Sequence, residues 1–174
     1  VDGNFLRSGF DPQRFYSPQG DWSSYACLRK CRPEAVFPSR PMLDKLLPLV
    51  DSKTGEVPQD AIPRCAFCNG HTFGNVRGGS WFQHSPYAEQ SDRLIRWMES
   101  ALEGDGKVVV LEIGAGFNTP IVTRYPMESF VSDLGDRGSL IRINPTDCDV
   151  PPALPRAIGL SRGWDVLEDI EESL

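Results

Sequence analysis

The sequence predicts an α/β protein: an open, mostly parallel sheet covered by helices, with a small zinc-binding module inserted into it. Three observations support this prediction. Apolar runs of strand length alternate with helical patterns in the second half of the chain. The first of these runs, at residues 108–113, ends in a glycine-rich turn. Two close pairs of cysteines lie in the first half of the chain.

The composition is that of an ordinary folded domain and excludes several functions. The chain has 174 residues, of which 40% are hydrophobic and 24% are charged. Its net charge of −6 argues against a nucleic-acid surface and against a polybasic membrane anchor. No apolar run reaches the length needed to cross a membrane, and no signal peptide is visible. We expect an intracellular, cytoplasmic protein, and targeting signals of the parent protein are not visible in this chain. Because the chain opens at Val1 without a methionine, we also expect it to be part of a longer protein.

The two cysteine pairs predict a structural zinc site. Three residues separate Cys27 from Cys31, and two separate Cys65 from Cys68. The second pair lies in the sequence RCAFCNG, where a tight turn can point both thiolates the same way. Four thiolates give the closed tetrahedral coordination of structural zinc. Two disulfides, free core cysteines and His71 as a substitute ligand are the alternatives, although an odd total of five cysteines disfavours a disulfide framework.

The domain boundaries follow from this site. Residues 27–71 are predicted to form the zinc module, since a segment so small and polar needs a metal to fold. One short helix is expected within it, at residues 41–50. Residues 1–26 and 72–174 are assigned to the α/β domain, with residues 1–25 expected to be ordered loop containing at most one short helix.

An amphipathic helix is predicted from about residue 87 to residue 103. Ser85-Pro86 opens it, and Gly104 ends it. One face is charged and the other apolar, so the apolar face is expected to lie in the core. The residues of that face are Leu94, Ile95, Met98, Ala101 and Leu102.

The run at residues 108–113 is the central strand of the prediction. Its continuous apolar character is typical of a strand buried on both faces of a parallel sheet. Gly114, Ala115 and Gly116 follow it, and Asn118 is expected to cap a helix reaching about residue 125. Small residues beside a helix N-terminus favour a bound phosphate. The third glycine of a dinucleotide fingerprint is replaced by Thr119, so a turn without a ligand is an alternative.

Two further strands and a helix complete the predicted sheet. The strands are expected at residues 139–143 and 156–160, with a linker before the first of them, and the final helix at residues 164–174. Ligands of open parallel sheets bind beyond the carboxyl ends of the strands. Gly114 and Asn144 both fall at such ends.

Taken in this order, the motifs resemble those of the NAD-dependent sirtuin family. The resemblance is carried by Val1-Asp2-Gly3, a turn ending at Gly20, the two cysteine pairs, the glycine turn, and Ile143-Asn144-Pro145. It implies a Rossmann-like domain with an inserted zinc module. It also implies that NAD binds in a cleft between the two and that the reaction breaks the nicotinamide–ribose bond.

The resemblance also implies roles for individual residues. Asp2 matches the acid that contacts the nicotinamide carboxamide, and Asn144 matches the asparagine that holds the adenosine ribose. The glycine turn matches a glycine-threonine-serine turn near the nucleotide, and residues 164–165 match a stretch whose backbone touches adenine. The four cysteines match the zinc ligands. The matched cofactor positions are thus Asp2, Gly114, Ala115, Gly116, Asn144, Trp164 and Asp165.

Three departures from the family pattern bear on activity. The family's leading glycine-alanine-glycine phosphate loop and the asparagine before Val1 are not in this chain, so we expect the chain by itself to be inactive. Gln19-Gly20 stands where the family has its catalytic histidine and a glycine. Residues 81–83, Trp-Phe-Gln, replace the Phe-Gly-Glu segment that grips an acyl-lysine peptide.

The glutamine determines the predicted reaction. In deacylation a base must deprotonate a ribose hydroxyl, and a general base contributes roughly 10²–10⁴-fold to the rate. The amide of Gln19 cannot accept that proton. Transfer of ADP-ribose depends less on a base at this position, because the ribose carbon is already strongly electrophilic. Sirtuins with a glutamine here, encoded beside macrodomain proteins, resemble protein ADP-ribosyltransferases.

The sequence therefore predicts an NAD-dependent transferase that moves ADP-ribose onto a protein, with NAD and zinc as cofactors. Gln19, Asp2 and Arg77 are the candidate catalytic residues, Arg77 orienting the acceptor or the nicotinamide ribose. A lysine deacylase of the same family is the first alternative, in which His84 could act as a displaced base. A catalytically weak binding module is another. A methyltransferase is a third, since residues 111–116 resemble a loop that binds S-adenosylmethionine, but too few residues follow for its sheet.

Overall fold

The computed structural model of the chain describes residues 3–162. The chain divides into two units, Val1–Leu94 and Ile95–Leu174. Asp2, Trp164, Asp165 and the predicted final helix lie outside the described residues. The domain boundaries drawn from the sequence stay a prediction.

The first unit contains a three-stranded antiparallel sheet in the order β2-β1-β3. Its strands are β1 (Gly20–Cys27), β2 (Val36–Pro38) and β3 (Thr72–Val76). Tyr25 in the central strand pairs with Phe37 on one side and Gly74 on the other. The helices are α1 (Asn4–Arg7) and α2 (Ser39–Leu46), with 3₁₀ turns at Pro12–Arg14, Leu47–Leu49, Gln59–Ala61 and Ser85–Tyr87.

This sheet was not predicted, and the expectation of loop is wrong from Gly20 onward, where β1 begins. The strands β2 and β3 are only three and five residues long. β1 mixes polar and aromatic residues, and its pairing with β3 is interrupted between Gly20 and Tyr25, so it shows no regular alternation. The helix expected at residues 41–50 is instead α2 followed by a 3₁₀ turn, because Pro48 cannot continue an α-helix.

The helix α3 (Ala88–Glu103) confirms the predicted position of the amphipathic helix. Its predicted burial is wrong: α3 lies wholly within the described residues, and none of its residues is buried. On the expected core face Ile95 is 49% exposed and Leu102 38% exposed, while Trp97 is 54% exposed. The periodicity of the sequence predicted the position of the helix correctly, but not how much of its apolar face is buried.

The second unit contains a parallel three-stranded sheet in the order β4-β5-β6. The strands are β4 (Val108–Ile113), β5 (Gly138–Ile143) and β6 (Ala157–Leu160), and α4 (Arg124–Leu134) packs against β4 and β5. Val131, Leu140 and Leu154 form the buried core. The predicted α/β class with a parallel sheet is confirmed, and all three predicted strands are found to within one residue at either end.

The prediction that β4 is buried on both faces is wrong. Val109, Leu111 and Ile113 are each more than half exposed, and β4 is an edge strand of the described sheet. Only the opposite face of β4, which contains Val110 and the buried Glu112, contributes to the core. The apolar run therefore predicted the strand correctly but not the number of covered faces.

The helix after the glycine turn begins later than predicted. Residues 114–123 form bends and turns, and α4 starts at Arg124 with Thr123 as its N-cap. Asn118 is not a cap, and the predicted linker before β5 holds α4 and a 3₁₀ turn at Gly135–Arg137. The cause is Pro126, which is tolerated in the first turn of a helix but not further in. No helix in the described part of the chain has the length and apolar character needed to cross a membrane.

Candidate functional site

The four predicted zinc ligands come together in the first unit. The Sγ atoms of Cys27, Cys31, Cys65 and Cys68 all lie within 4.8 Å of one another. The Cys27–Cys68 and Cys31–Cys65 Sγ distances are both 3.6 Å. A disulfide would bring two sulfurs to about 2.05 Å, whereas tetrahedral coordination with Zn–S bonds of about 2.3 Å places them about 3.8 Å apart. The cluster therefore fits zinc, and all its cysteines are free thiols rather than disulfides.

Two tight turns aim the thiols at one point. Lys30 and Asn69 adopt left-handed backbone conformations with φ of 49° and 54°, one just before Cys31 and the other just after Cys68. In the second turn the Asn69 N–H donates to the Cys65 carbonyl at 2.8 Å, and the Cys65 N–H donates to the carbonyl of Gly70 at 2.9 Å. A Cβ on Gly70 would approach the Cys68 Sγ to 3.1 Å, so the glycine makes room for the thiol.

The backbone around the first pair favours a thiolate. Burial raises the pKa of Cys27, but hydrogen bonds from the N–H groups of Cys31 and Arg29 and from the thiols of Cys68 and Cys31 together lower that pKa to about 6. Desolvation and the neighbouring thiols raise the pKa of Cys31 to about 12. Four sulfurs packed this closely cannot all ionise without a cation among them, and zinc supplies that charge when it binds.

His71 lies outside the cluster. Its backbone pairs with that of Arg64, and its ring nitrogens lie 3.0 Å from the Arg64 Nη1. Among the described residues the potential metal-binding group consists of the four cysteines alone. The alternative in which His71 replaces a cysteine is therefore wrong.

The first unit also brings Gln19 and Arg77 together. The Arg77 N–H donates to the Gln19 carbonyl at 2.8 Å, and its Nε donates to the Pro18 carbonyl at 3.2 Å. The guanidinium lies 4.6 Å from the centroid of the Phe82 ring. Arg77 is exposed at its surface yet anchored on three sides, so it is not a freely solvated arginine.

The turn that follows Gln19 admits only glycine. Gly20 has φ of 70°, and a Cβ there would lie 2.0 Å from the Asn75 carbonyl oxygen. Asn75 is fully buried, and its side chain both donates to the Gln83 carbonyl and accepts from the Gln83 N–H. This buried amide joins β3 to the backbone of Gln83. Sequence reasoning missed it because nothing in the pattern distinguishes Asn75 from a loop asparagine.

The other residues considered near this site have structural partners. Gln83 is buried and its Nε2 donates to the Ala35 carbonyl at 3.0 Å. His84 is exposed, with its Nε2 3.3 Å from the Tyr16 hydroxyl.

In the second unit the glycine turn sits at the carboxyl ends of β4 and β5. Gly114 has φ of 72°, and its N–H donates to the Ile143 carbonyl at 2.9 Å. A Cβ at Gly114 would meet nothing within 4 Å, whereas one at Gly116 would lie 2.9 Å from the Asp147 Oδ2. The turn is thus open on one side and closely packed on the other.

Asn144 connects this turn to the next loop. Its side chain is buried, its Nδ2 donates to the Ala115 carbonyl at 3.2 Å, and its Oδ1 accepts from the N–H groups of Thr146 and Asp147. The structure therefore brings together four of the seven predicted cofactor residues. The remaining three lie outside the described residues, and the ligand roles of all seven stay predictions.

Sequence reasoning missed a buried charge network behind the turn. Arg142 is fully buried, and it donates to Glu112 at 2.5 Å and to Glu128 at 2.7 Å. Burial alone would lower the pKa of Arg142, but the two carboxylates raise it. Arg124 is 3% exposed and joins the network through Glu128 at 3.6 Å. The available signal was a glutamate and an arginine at matched positions, each next to last in an apolar strand.

The chain is similar in sequence to parts of longer proteins. No family model matches the chain. It is 37% identical over 144 residues to a Fusarium oxysporum f. sp. cubense protein named "Probable bifunctional ADP-ribose hydrolase/ADP-ribosyltransferase", covering 82% of this chain and 24% of that protein. It is 24% identical over 130 residues to "Protein ADP-ribosyltransferase" of Staphylococcus aureus, covering 74% of this chain and 40% of that protein. The chain therefore spans less than half the length of either relative.

A solved structure titled "The Structural basis for Sirtuin Substrate affinity" aligns with a TM-score of 0.48 and 15% identity, covering 90% of this chain and 56% of that one. The fold and the cysteine cluster define an α/β protein with a parallel sheet and a zinc-type module. The chain is homologous to parts of two proteins that are named as ADP-ribosyltransferases, which agrees with the resemblance drawn from its sequence.

Proposed function

We propose that the protein containing this chain consumes NAD, breaks its nicotinamide–ribose bond and transfers ADP-ribose to a protein acceptor. The observation that carries the proposal is the 37% identity, over 82% of the chain, to a protein named as an ADP-ribosyltransferase. The second relative is named a protein ADP-ribosyltransferase, which supports a protein as acceptor.

The surroundings of Gln19 support transfer over deacylation. A deacylase needs a proton acceptor at this position, and a glutamine amide does not titrate. Of the two histidines in the sequence, His71 lies against Arg64 and His84 lies against Tyr16. In the proposed reaction Gln19 donates and accepts hydrogen bonds, Arg77 orients the acceptor or the nicotinamide ribose, and Asp2 contacts the carboxamide.

The glycine turn supports a nucleotide site. The open side of Gly114 leaves space for a ligand to approach the backbone. In the proposed site Gly114, Ala115, Gly116 and Asn144 hold the ribose and phosphate side of NAD. Residues 164–165 contact adenine. NAD supplies the electrophilic ribose carbon, and these residues hold it in position.

Zinc has a structural role in this proposal. The four cysteines leave no open coordination position for a substrate, as is usual for structural sites. Zinc would hold the segments around residues 27–31 and 65–68 together, and take no part in the chemistry.

The test is incubation of the full-length protein with NAD labelled in its adenosine moiety, together with a set of candidate acceptor proteins. We expect nicotinamide release and covalent label on protein. Gln19→Ala should reduce transfer, and Gln19→His tests whether a base at this position adds deacylation. Formation of O-acyl-ADP-ribose from an acyl-lysine peptide by the unaltered protein would instead identify a deacylase, and absence of NAD binding would indicate a binding module.

A further inference from the structure

The Ala115 carbonyl is held by two side chains from distant parts of the second unit. The Arg124 Nη1 donates to it at 3.2 Å, and the Asn144 Nδ2 donates to it at 3.2 Å. Asn144 was singled out from the sequence, but Arg124 was not. Both donors approach from the buried side, since Arg124 is 3% and Asn144 6% exposed.

This anchoring fixes the direction of the next N–H group. The Ala115 carbonyl and the Gly116 N–H belong to one peptide unit, and every described peptide bond is trans. In a planar trans peptide the carbonyl and the N–H point in opposite directions. With the carbonyl held toward Arg124 and Asn144, the Gly116 N–H is turned away from the buried side of the turn.

Arg124 also holds the loop that packs against Gly116. The same Nη1 donates to the Asp147 carbonyl at 2.8 Å, and Nη2 donates to the Asp149 carbonyl at 2.8 Å. The guanidinium therefore bridges the glycine turn and the loop after β5 through three backbone carbonyls. Lysine cannot reproduce this, because its donors radiate from a single atom while those of a guanidinium form a planar fork.

The arginine is itself held in place. Its Nε lies 3.6 Å from the Glu128 carboxylate, which is shared with the fully buried Arg142. The Phe117 ring covers the guanidinium at 4.1 Å. A charged group this completely enclosed and bonded has little freedom to move, so its effect on the turn is a fixed one.

We propose that Arg124 is a positioning residue that presents the Gly116 N–H to the nucleotide. The inference rests on the proposed function, since it assigns the nucleotide to this turn. Arg124 does not touch the ligand; it acts through the Ala115 peptide. An N–H presented to a bound nucleotide stabilises the bound ground state and the transition state alike. Loss of Arg124 therefore raises KM for NAD more than it lowers kcat.

The structure offers a matched control. Arg137 also donates three hydrogen bonds to backbone carbonyls, at 2.9 Å to Ala101, 2.9 Å to Leu102 and 3.1 Å to Gly106. None of these groups belongs to the glycine turn. Loss of Arg137 therefore measures what an arginine that links backbone segments contributes to stability alone.

The experiment compares Arg124→Gln, Arg124→Lys and Arg137→Gln in the full-length protein. Calorimetry gives the Kd for NAD, steady-state nicotinamide release gives KM and kcat, and hydrogen exchange reports on residues 113–118 without ligand. For Arg124→Gln we expect an NAD affinity about tenfold or more weaker, on the scale of a lost charged hydrogen bond, with kcat changed less than about threefold. Arg124→Lys should be intermediate, and both should speed exchange in residues 113–118.

Arg137→Gln should lower the melting temperature but leave the NAD Kd within about twofold of the unaltered protein. The inference is overturned if Arg124→Gln and Arg137→Gln have the same NAD affinity, or if exchange in residues 113–118 does not change. If Arg124→Gln does not fold, the same comparison is made with Arg124→Lys. If the unaltered protein binds no NAD, the proposed function fails and the positioning role fails with it, whereas normal binding with unaffected Arg124 variants overturns the positioning role alone.

Discussion

The cysteine cluster and the glycine turn are both candidate binding sites, but they are built in different ways. The cluster is made of two short segments whose ligands are spaced for zinc, and its tight turns are closed by hydrogen bonds between near neighbours. The turn depends on Arg124 and Asn144, which lie 9 and 29 residues along the chain from the carbonyl they bind. The comparison teaches that the sequence spacing is sufficient to find the first kind of site but not the second.

The largest effect is expected from a change that disrupts the cysteine cluster. Cys65→Ser, or prolonged exposure to a chelator, should remove one zinc per chain and unfold the segments around the cluster, because structural zinc contributes about 10–16 kcal/mol of apparent binding free energy. Metal analysis and hydrogen exchange of residues 20–76 measure this. The control is Cys148→Ser, which changes a cysteine outside the cluster. Equal zinc content in the two variants would contradict the four-cysteine assignment.

The next largest effect is expected from a substitution that breaks the buried charge network behind the glycine turn. Arg142→Ala leaves Glu112 buried without its partner, and removal of one member of a buried ion pair costs about 3–5 kcal/mol. Urea unfolding of the second unit measures the loss. The double variant Arg142→Met with Glu112→Leu should recover much of it, since no unpaired charge then remains on these two strands. A double variant no more stable than Arg142→Ala would show that the charges themselves are needed for this unit to fold.

The same difference between local and long-range contacts explains how much of the structure could be predicted from the sequence. The parallel strands and α3 follow from apolar runs and periodicity, and the zinc ligands follow from spacing. The start of α4 was missed because Pro126 shifts it away from the glycine turn. The sheet of the first unit was missed because its strands are short and irregularly paired. Arg124 and Arg142 were missed because a lone arginine in a sequence is usually a surface residue, and only the folded chain shows three or more partners around it.

A smaller effect is expected from substitutions of the two glycines of the turn, one of which is closely packed and the other open. Gly116→Ala places a Cβ 2.9 Å from the Asp147 Oδ2, so the strain is relieved only if Asp147 moves. We expect a loss of about 1–2 kcal/mol in unfolding free energy, of the size usual for overpacking. Combining it with Asp147→Ala should restore about 1 kcal/mol, a coupling typical of residues in contact.

Gly114→Ala is the matched control for that pair. Its Cβ would meet no atom within 4 Å, so its cost comes only from the left-handed backbone, about 1 kcal/mol. Asp147→Ala should not relieve it. If Asp147→Ala rescued both glycine variants equally, the packing of the loop after β5 against Gly116 would not explain the requirement for glycine.

The smallest expected effect concerns a long-range contact of the first unit, and it measures how much that contact contributes to stability. The Tyr87 hydroxyl accepts from the Asp21 N–H at 3.1 Å and lies 3.3 Å from the Ser24 Oγ, joining the turn before α3 to β1 across more than 60 residues. Burial raises the pKa of Tyr87 above its ordinary value of 10.0. The folded state therefore holds this proton more tightly than the unfolded state, so the stabilisation is complete below pH 10 and is lost as the pH rises beyond it.

Tyr87→Phe should cost about 1 kcal/mol at neutral pH, the usual contribution of one hydrogen bond, and should lessen the fall in stability at alkaline pH. Urea unfolding at pH 7 and above pH 10 measures both effects, with Tyr125→Phe as the control because Tyr125 is 48% exposed. Tyr25 also has a pKa raised by burial, so the informative quantity is the difference between the Tyr87→Phe and unaltered pH profiles rather than either profile alone. Parallel profiles would mean that the Tyr87 hydroxyl contributes no pH-dependent stability to the first unit.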